Sequence, residues 1–235
     1  MPNWVKTVVK TSPDVLKEIK EKYFNTEGLD FNKVIPMPED LKVTAGSSGM
    51  TGLIILHFKS YDEEQKQKIN AVYKAFNGFN RDIYLDPRYM DIIKKYYEDT
   101  SKFKEDIELG EKYLDNYNKY GYSNWYYWCI DNWGTKWNCD DFKSGKDMMI
   151  YVTAWDFADK IILKLSKEFP DAVFECKYAN EDYGSASGIV EIKNGELFLQ
   201  NYDLSFEELD EIWNTDIEDL SNKANEVEIE EDIEK

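Results

Sequence analysis

Apolar and polar positions alternate through "NWVKTVVKT" (3–11), a run rich in β-branched residues that predicts a half-buried strand. Ser12 and Pro13 then supply an N-cap and first-turn signal, and Leu16, Ile19 and Tyr23 fall at i, i+3 and i+7 on one face of a helix ending near Asn25. "FNKVIPMP" (31–38) predicts a short strand stopped by its prolines. The chain thus opens as β-α-β, with a right-handed connection expected between adjacent parallel strands.

From Gly46 to Tyr120 the pattern changes. "AGSSGMTG" (45–52) reads as a flexible turn region and "LIILHFKS" (53–60) as an apolar, strand-like run. Helical stretches follow around 62–76, 87–98 and 101–118, with Ile69, Val72, Tyr73 and Phe76 forming an apolar stripe. In the second half, Ser123 is placed to cap a short helix carrying Trp125, Trp128, Cys129 and Asn132, with Gly134 placed to end it. A strand over 124–130 is the alternative, since four consecutive aromatic residues also suit a sheet.

"TKWNCDDF" and "DMMIYVTAW" flank "KSGK" and predict a hairpin. Asp156 is expected to cap a helix that turns Phe157, Ile161, Ile162, Leu165 and Phe169 inward and closes at Pro170. "AVFECKY" predicts another strand, "GIVEIKNGELFLQN" a hairpin turning at Asn-Gly, and "SFEELDEIWN" a helix whose Ser205 and Glu208 match a capping box. Two β-α-β-like halves around one antiparallel or mixed sheet make an α+β, ferredoxin-like (split β-α-β) plan. The expected division is a sheet domain from 1–45 and 120–201, a mainly helical insertion over 46–119, and an acidic helix and mobile tail over 202–235.

Charge alters this picture at one end. The formal net charge is −18, but Tyr202–Lys235 holds fourteen Asp and Glu against two Lys, a net of −12, which leaves about −6 for 1–201. The tail "ANEVEIEEDIEK" is expected to solubilise the protein, with nucleic-acid mimicry or attraction of a basic partner as the alternative. Three cysteines with no CxxC pair, and His57 as the sole histidine, argue against a disulfide framework or structural zinc and fit a reducing cytosol. "MPNWVKTVVK" lacks the charged and uninterrupted apolar segments of a signal peptide, and no stretch approaches the roughly 20 apolar residues that cross a bilayer. A soluble intracellular protein with no membrane association is expected.

Candidate chemistry is sparse. There is no GxSxG, HExxH, Walker loop or strand-linked GxGxxG, and "AGSSGMTG" lacks a lysine to hold phosphate. His57 lies in an apolar run without a partner motif, as a core or edge histidine does. Asp140–Asp141 and Glu181–Asp182 are acidic pairs, but neighbours on a strand point to opposite faces, so they are expected to be solvated. No enzyme activity, cofactor or metal is expected.

"MPNW" at the start, "FNKVIPMPEDL" from 31, "YGYSNWYYWCIDNWGTKWN" from 120, "TAW" at 153 and "LSKEFPD" from 165 occur in this order. Together they resemble the YubB-type ferredoxin-like domain family of phages, plasmids and integrated prophages, over residues 1–38 and roughly 120–188. The resemblance implies a ferredoxin-like fold and a mobile-element origin, and brings no established activity or catalytic residue. Val5 stands where family members commonly have cysteine, and Asp156, Phe157 and Ala158 stand where Ser-Pro-Pro often follows TAW.

Without catalytic motifs, the expected task is binding a host protein with a basic surface in the bacterial cytoplasm, by tyrosine and tryptophan contacts and electrostatic steering. An anti-defence role, such as inhibition of a CRISPR effector, follows from that setting and the acidity. The second choice is RNA or single-stranded DNA stacking on sheet aromatics, with Lys10, Lys17, Lys20 and Lys22 as the basic patch, since Arg81 and Arg88 are the only arginines. Trp125, Trp128 and Trp133 are expected to be core. The candidate binding residues are Asn132, Trp133, Gly134, Thr135 and Lys136, with Trp155 and Trp4 nearby.

Overall fold

The structure is a computed structural model that describes residues 3–77 and 80–217. The tail "ANEVEIEEDIEK" lies outside the described residues. The chain divides into two compact units, Met1–Pro36 with Cys129–Lys235, and Met37–Trp128. The helical unit is thus broader than the 46–119 expected from sequence, and residues 202–217 belong with the sheet.

In chain order the elements begin with β1 (Trp4–Lys10), α1 (Pro13–Tyr23), β2 (Phe24–Asn25), β3 (Gly28–Leu29) and α2 (Phe31–Val34). The helical unit contributes α3 (Ser47–Lys59), α4 (Glu63–Asn77), α5 (Tyr89–Glu98) and α6 (Lys104–Tyr120); the division between units falls inside α7 (Trp125–Trp133). β4 (Asp140–Ser144), β5 (Met148–Ala154), α8 (Asp159–Glu168), β6 (Val173–Asn180), β7 (Ser187–Lys193), β8 (Glu196–Asn201) and α9 (Phe206–Asn214) complete it.

Six strands form one sheet in the order β4-β5-β1-β6-β7-β8, antiparallel at every neighbouring pair. β1 and β4 both run against β5, and β5 and β6 both run against β1. Each strand-helix-strand unit, β1-α1-β4 and β5-α8-β6, therefore has a strand of the other between its two strands, which is the split β-α-β arrangement. β7 and β8 extend the sheet beyond it. The opening β-α-β with adjacent parallel strands does not form, because "FNKVIPMP" supplies no strand. Asp30 caps α2 by accepting from the Asn32 amide at 2.9 Å, and the helix buries Phe31 and Val34, three residues apart on one face. A short apolar run bounded by prolines carries no period that separates strand from helix.

Strand register assigns the two faces. Thr7 pairs with both Tyr151 and Tyr178, and Val9 with Met149 and Cys176, so these buried residues share a face. That face packs on α8 and its lead-in, where Phe157 stacks on Tyr178 at 4.6 Å. On the opposite face, α9 packs Leu209 and Ile212 against Ala179, which contributes about 1.5–3 kcal/mol per buried side chain. Lys6 reaches from β1 to the C-terminal end of α9, donating to the carbonyls of Trp213 (2.6 Å) and Thr215 (2.8 Å). Cation and helix dipole are there favourably opposed.

Thr7 and Tyr151 face each other in register, yet neither side-chain hydroxyl finds a protein partner. A buried unpaired hydroxyl costs about 1–3 kcal/mol. Tyr151→Phe is therefore expected to raise stability by about 1 kcal/mol, read as a higher urea midpoint at unchanged slope. A lower midpoint would mean that a buried water pairs the hydroxyl.

Two caps differ from expectation. Asn124, not Ser123, caps α7, its Oδ1 accepting from the Tyr126 amide at 3.0 Å, while the Ser123 carbonyl accepts from Asn116 Nδ2 at 3.1 Å. The helix alternative for this stretch is the observed one. α8 starts at Asp159 behind Ala158, with no side-chain cap; Asp156 Oδ1 instead accepts from the Phe157 amide at 2.8 Å, within the turn before the helix. The capping box at Ser205 and Glu208 and the turn at Asn194-Gly195, both with positive φ, form as predicted.

The helical unit has its own core of Leu53, Ile54, Ile55, Ile69, Val72, Tyr73, Ile83 and Tyr113, with Phe76 packed against it. "AGSSGMTG" is not a loop here, nor is "LIILHFKS" a strand: from Ser47 both belong to α3. Glycine lets the α3 backbone touch α6. A Cβ at Gly52 would lie 1.9 Å from the Asp106 carbonyl oxygen, and one at Gly49 would lie 2.3 Å from the Tyr113 ring. The run is thus glycine-rich for packing, which sequence reads as flexibility.

Candidate functional site

The turn after α7 splits into an anchoring part and a displayed part. Trp133 is buried, edge-on to Phe31, with its indole N–H donating to the Ile35 carbonyl at 2.9 Å. Gly134 ends α7 with φ 80° and its amide donating to the Ile130 carbonyl at 3.0 Å. Thr135 is buried and donates its hydroxyl proton to the Ala154 carbonyl at 2.9 Å, tying the turn to the end of β5. Asn132 is half-buried in the last turn of α7. Trp133, Gly134 and Thr135, three of the expected binding residues, therefore have anchoring positions.

Lys136, Trp155 and Trp4 do converge. The Lys136 ammonium lies 4.2 Å from the Trp137 ring centroid and 4.8 Å from that of Trp155, a cation shared between two indole faces. Trp4 leans on Trp137 with centroids 6.5 Å apart and ring planes at 43°. Register explains the meeting: Trp4 pairs with Ala154, so Trp155 emerges beside the first residue of β1. The Trp155 amide donates to the Asn3 carbonyl at 2.9 Å. Its φ of 71° is left-handed, a conformation a non-glycine residue keeps only where its surroundings enforce it. The indole is thereby held outward: Trp155 is 40% and Trp137 38% exposed.

Glu181 flanks this cluster, its carboxylate accepting from the Trp4 amide at 2.9 Å and its own amide donating to the Trp4 carbonyl at 2.8 Å. Trp137 and Glu181 were not singled out as binding residues from sequence. The lysine-aromatic pair within "TKW" was the available signal for Trp137; Glu181 arrives through strand register, which no local pattern shows.

Groups elsewhere are arranged for structure. His57 lies on α3, edge-on to Tyr89 at 6.2 Å, with its Nδ1 buried and unpaired, and burial lowers its pKa below the ordinary value. Burial pushes the thiols of Cys129 and Cys139 up to about 12 and that of Cys176 higher still, so thiolate is suppressed at neutral pH. Arg88 grips Asp86 through two nitrogens, at 3.0 and 2.7 Å, and holds its carboxyl well below the usual carboxylate range. Tyr73 donates to the same carboxylate. No group of three or more His, Cys, Asp or Glu suited to a metal occurs among the described residues.

The proposed basic patch is largely committed. Lys10 pairs with Asp147 at 3.7 Å, Lys20 donates to the Gly145 carbonyl and Lys22 pairs with Glu168 at 2.6 Å. The sheet aromatics Tyr151, Phe174 and Tyr178 are buried. On the α9 side of the sheet, central strands β1 and β5 carry Trp4, Lys6, Val8, Lys10, Met148, Ile150, Val152 and Ala154, of which Trp4 alone is aromatic. Among the described residues no helix is long and apolar enough to cross a membrane.

The strand order and the two interleaved strand-helix-strand units define an α+β protein with a ferredoxin-like domain. Residues 132–234 match the family model described as the ferredoxin-like domain in Api92-like protein. No curated protein matches the chain. Among solved structures, the crystal structure of a protein Api92 from Yersinia pseudotuberculosis aligns over 87% of this chain and 99% of that one, at 11% identity and a TM-score of 0.41.

Proposed function

We propose that the protein is a non-enzymatic accessory protein of a phage, prophage or plasmid that binds a host protein in the bacterial cytoplasm through Trp4, Trp137 and Trp155. The observation that carries this reading is the pair of outward-held indoles with Lys136 between them. Rigid, partly exposed tryptophans lose little entropy on docking and are the residues that concentrate binding energy. Lys136 lies between the two rings, Glu181 sits on the rim, and the chain's net charge of −18 favours a partner with a basic surface. Inhibition of a nucleic-acid-binding defence effector, CRISPR effectors included, is the anti-defence form of this function. The resemblance of "MPNW" and "NWGTKW" to the YubB-type family supports the mobile-element setting.

Nucleic acid is the second reading: base stacking would use Trp137 and Trp155, at about 1–3 kcal/mol per base, and not the buried sheet aromatics Tyr151, Phe174 and Tyr178. Capture from host lysate by the full-length protein separates the two. The expected result is a discrete bound protein whose affinity falls at least roughly 30-fold in the Trp137→Ala/Trp155→Ala double variant, with the unfolding midpoint unchanged. Salt-sensitive capture of RNA or DNA without a protein would replace the leading reading by the second. If Asn132→Ala loses the fold while Lys136→Ala binds normally, the turn serves structure only.

A further inference from the structure

Among the described residues the sheet ends on β4 at one edge and on β8 at the other. At one, β4 reads Asp-Asp-Phe-Lys-Ser, is interrupted by a register shift after Asp140, and holds Asp141 at φ 44°. Charges along an edge, and a left-handed residue within it, discourage another strand from adding. At the other, β8 reads Glu-Leu-Phe-Leu-Gln-Asn, every residue exposed, with a single charge at its start. Its register shift leaves Phe198 between Leu197, opposite Ile192, and Leu199, opposite Glu191, and turns that ring 56% exposed. The apolar strip continues through Tyr202, Tyr183 and Phe206, the last two stacked at 6.3 Å and Phe206 69% exposed.

We propose that β8 is the contact strand of a symmetric dimer, pairing antiparallel with β8 of a second copy to join two six-stranded sheets. Charge along the strand selects this occupant. Glu196 opens the strand beside two lysines, Lys193, which is exposed, and Lys167, which lies over Gly195, where an added Cβ would come 2.2 Å from the lysine stem, so this end carries a net positive charge. The other end is acidic, with Asp203, Glu207 and Asp210 exposed. A two-fold axis between Phe198 and Leu199 sets Glu196 opposite Asn201 and brings the lysine end of each copy to the carboxylate end of the other. A chain of net charge −18 repels itself in most orientations; this one brings Lys193 and Lys167 toward the carboxylates of the other copy at both ends, sets Glu196 opposite a neutral asparagine and leaves uncharged residues between.

Sedimentation of the full chain over a concentration series tests the inference. The wild type is expected to pass from monomer to dimer. Leu199→Lys, which puts a charge on the edge, is expected to shift that transition to at least 10-fold higher concentration, with far-UV circular dichroism unchanged. Met90→Lys, on an exposed site of the helical unit, is expected to leave it in place. Lys193→Glu should weaken the dimer and the added Asp203→Lys should restore it, a rescue that requires the antiparallel two-fold. A chain that stays monomeric throughout, or a dimer indifferent to Leu199→Lys and to the charge swap, overturns the proposal.

Discussion

Gly52→Ala is expected to destabilise the helical unit by about 3 kcal/mol, the upper end of what overpacking a tight interface costs. The new methyl would sit 1.9 Å from the Asp106 carbonyl oxygen, 2.7 Å from its carbon and 3.0 Å from the Gly110 nitrogen. These are backbone atoms on the facing helix, so no rotamer change relieves the clash and α3 and α6 must separate. Separation would uncover Leu53, Ile54 and Tyr113, which are fully buried. Chemical unfolding reads the loss. Gly46→Ala is the control: nothing lies within 4 Å of its Cβ position, and its φ of 165° is ordinary extended backbone, so a change within about 0.5 kcal/mol is expected. Equal effects at the two positions would show that helix propensity, not close approach, governs the segment.

Gly134→Ala is expected to cost about 2–3 kcal/mol and to disturb the Lys136–tryptophan cluster as well. A left-handed non-glycine residue costs about 1–2 kcal/mol, and here the added Cβ meets Asp159 Oδ1 at 2.4 Å and the Phe157 carbonyl oxygen and Asp159 amide nitrogen at 3.2 Å. The carboxylate can swing away, but the two backbone atoms cannot. Any shift passes directly into Thr135 and Lys136, so the variant should lose both the α7 exit and the lysine between the indoles. The double readout is a lowered unfolding midpoint and quenched or shifted tryptophan emission in the folded state. Reduced stability with unchanged emission would mean that Lys136 is positioned from the β5 side alone.

The elements with a clear period or a strong turn were legible in sequence. β1, α1, the Asn194-Gly195 hairpin and the boxed α9 each announce themselves within a dozen residues, because alternation, caps and positive-φ turns are local. The errors came where long-range packing decides. Gly49 and Gly52 read as flexibility because a close helix contact and a loose loop demand the same residue, and only the partner backbone of Gly110 distinguishes them. "FNKVIPMP" carried strand-like residues, but Asp30 and the burial of Phe31 and Val34 made it a helical turn. At the site, Trp133, Gly134 and Thr135 drew notice as a motif yet anchor it. Trp137 completes the display through a lysine that sequence did mark, and the pairing of Trp4 with Ala154 is a property of register alone.

The place of β1 in the sheet fixes when the domain can form during synthesis. Val5 pairs with Thr153 on one side and Asn180 on the other, so the first strand made is completed only by strands made much later. At about 5–20 residues per second, the wait between β1 and β6 leaving the ribosome is roughly 10–35 seconds. The helices of Met37–Trp128 emerge in that interval with their contacts already in hand. A nascent chain released early would therefore carry a folded helical unit and an unpaired, β-branched strand, the part of the molecule with most to gain from a chaperone.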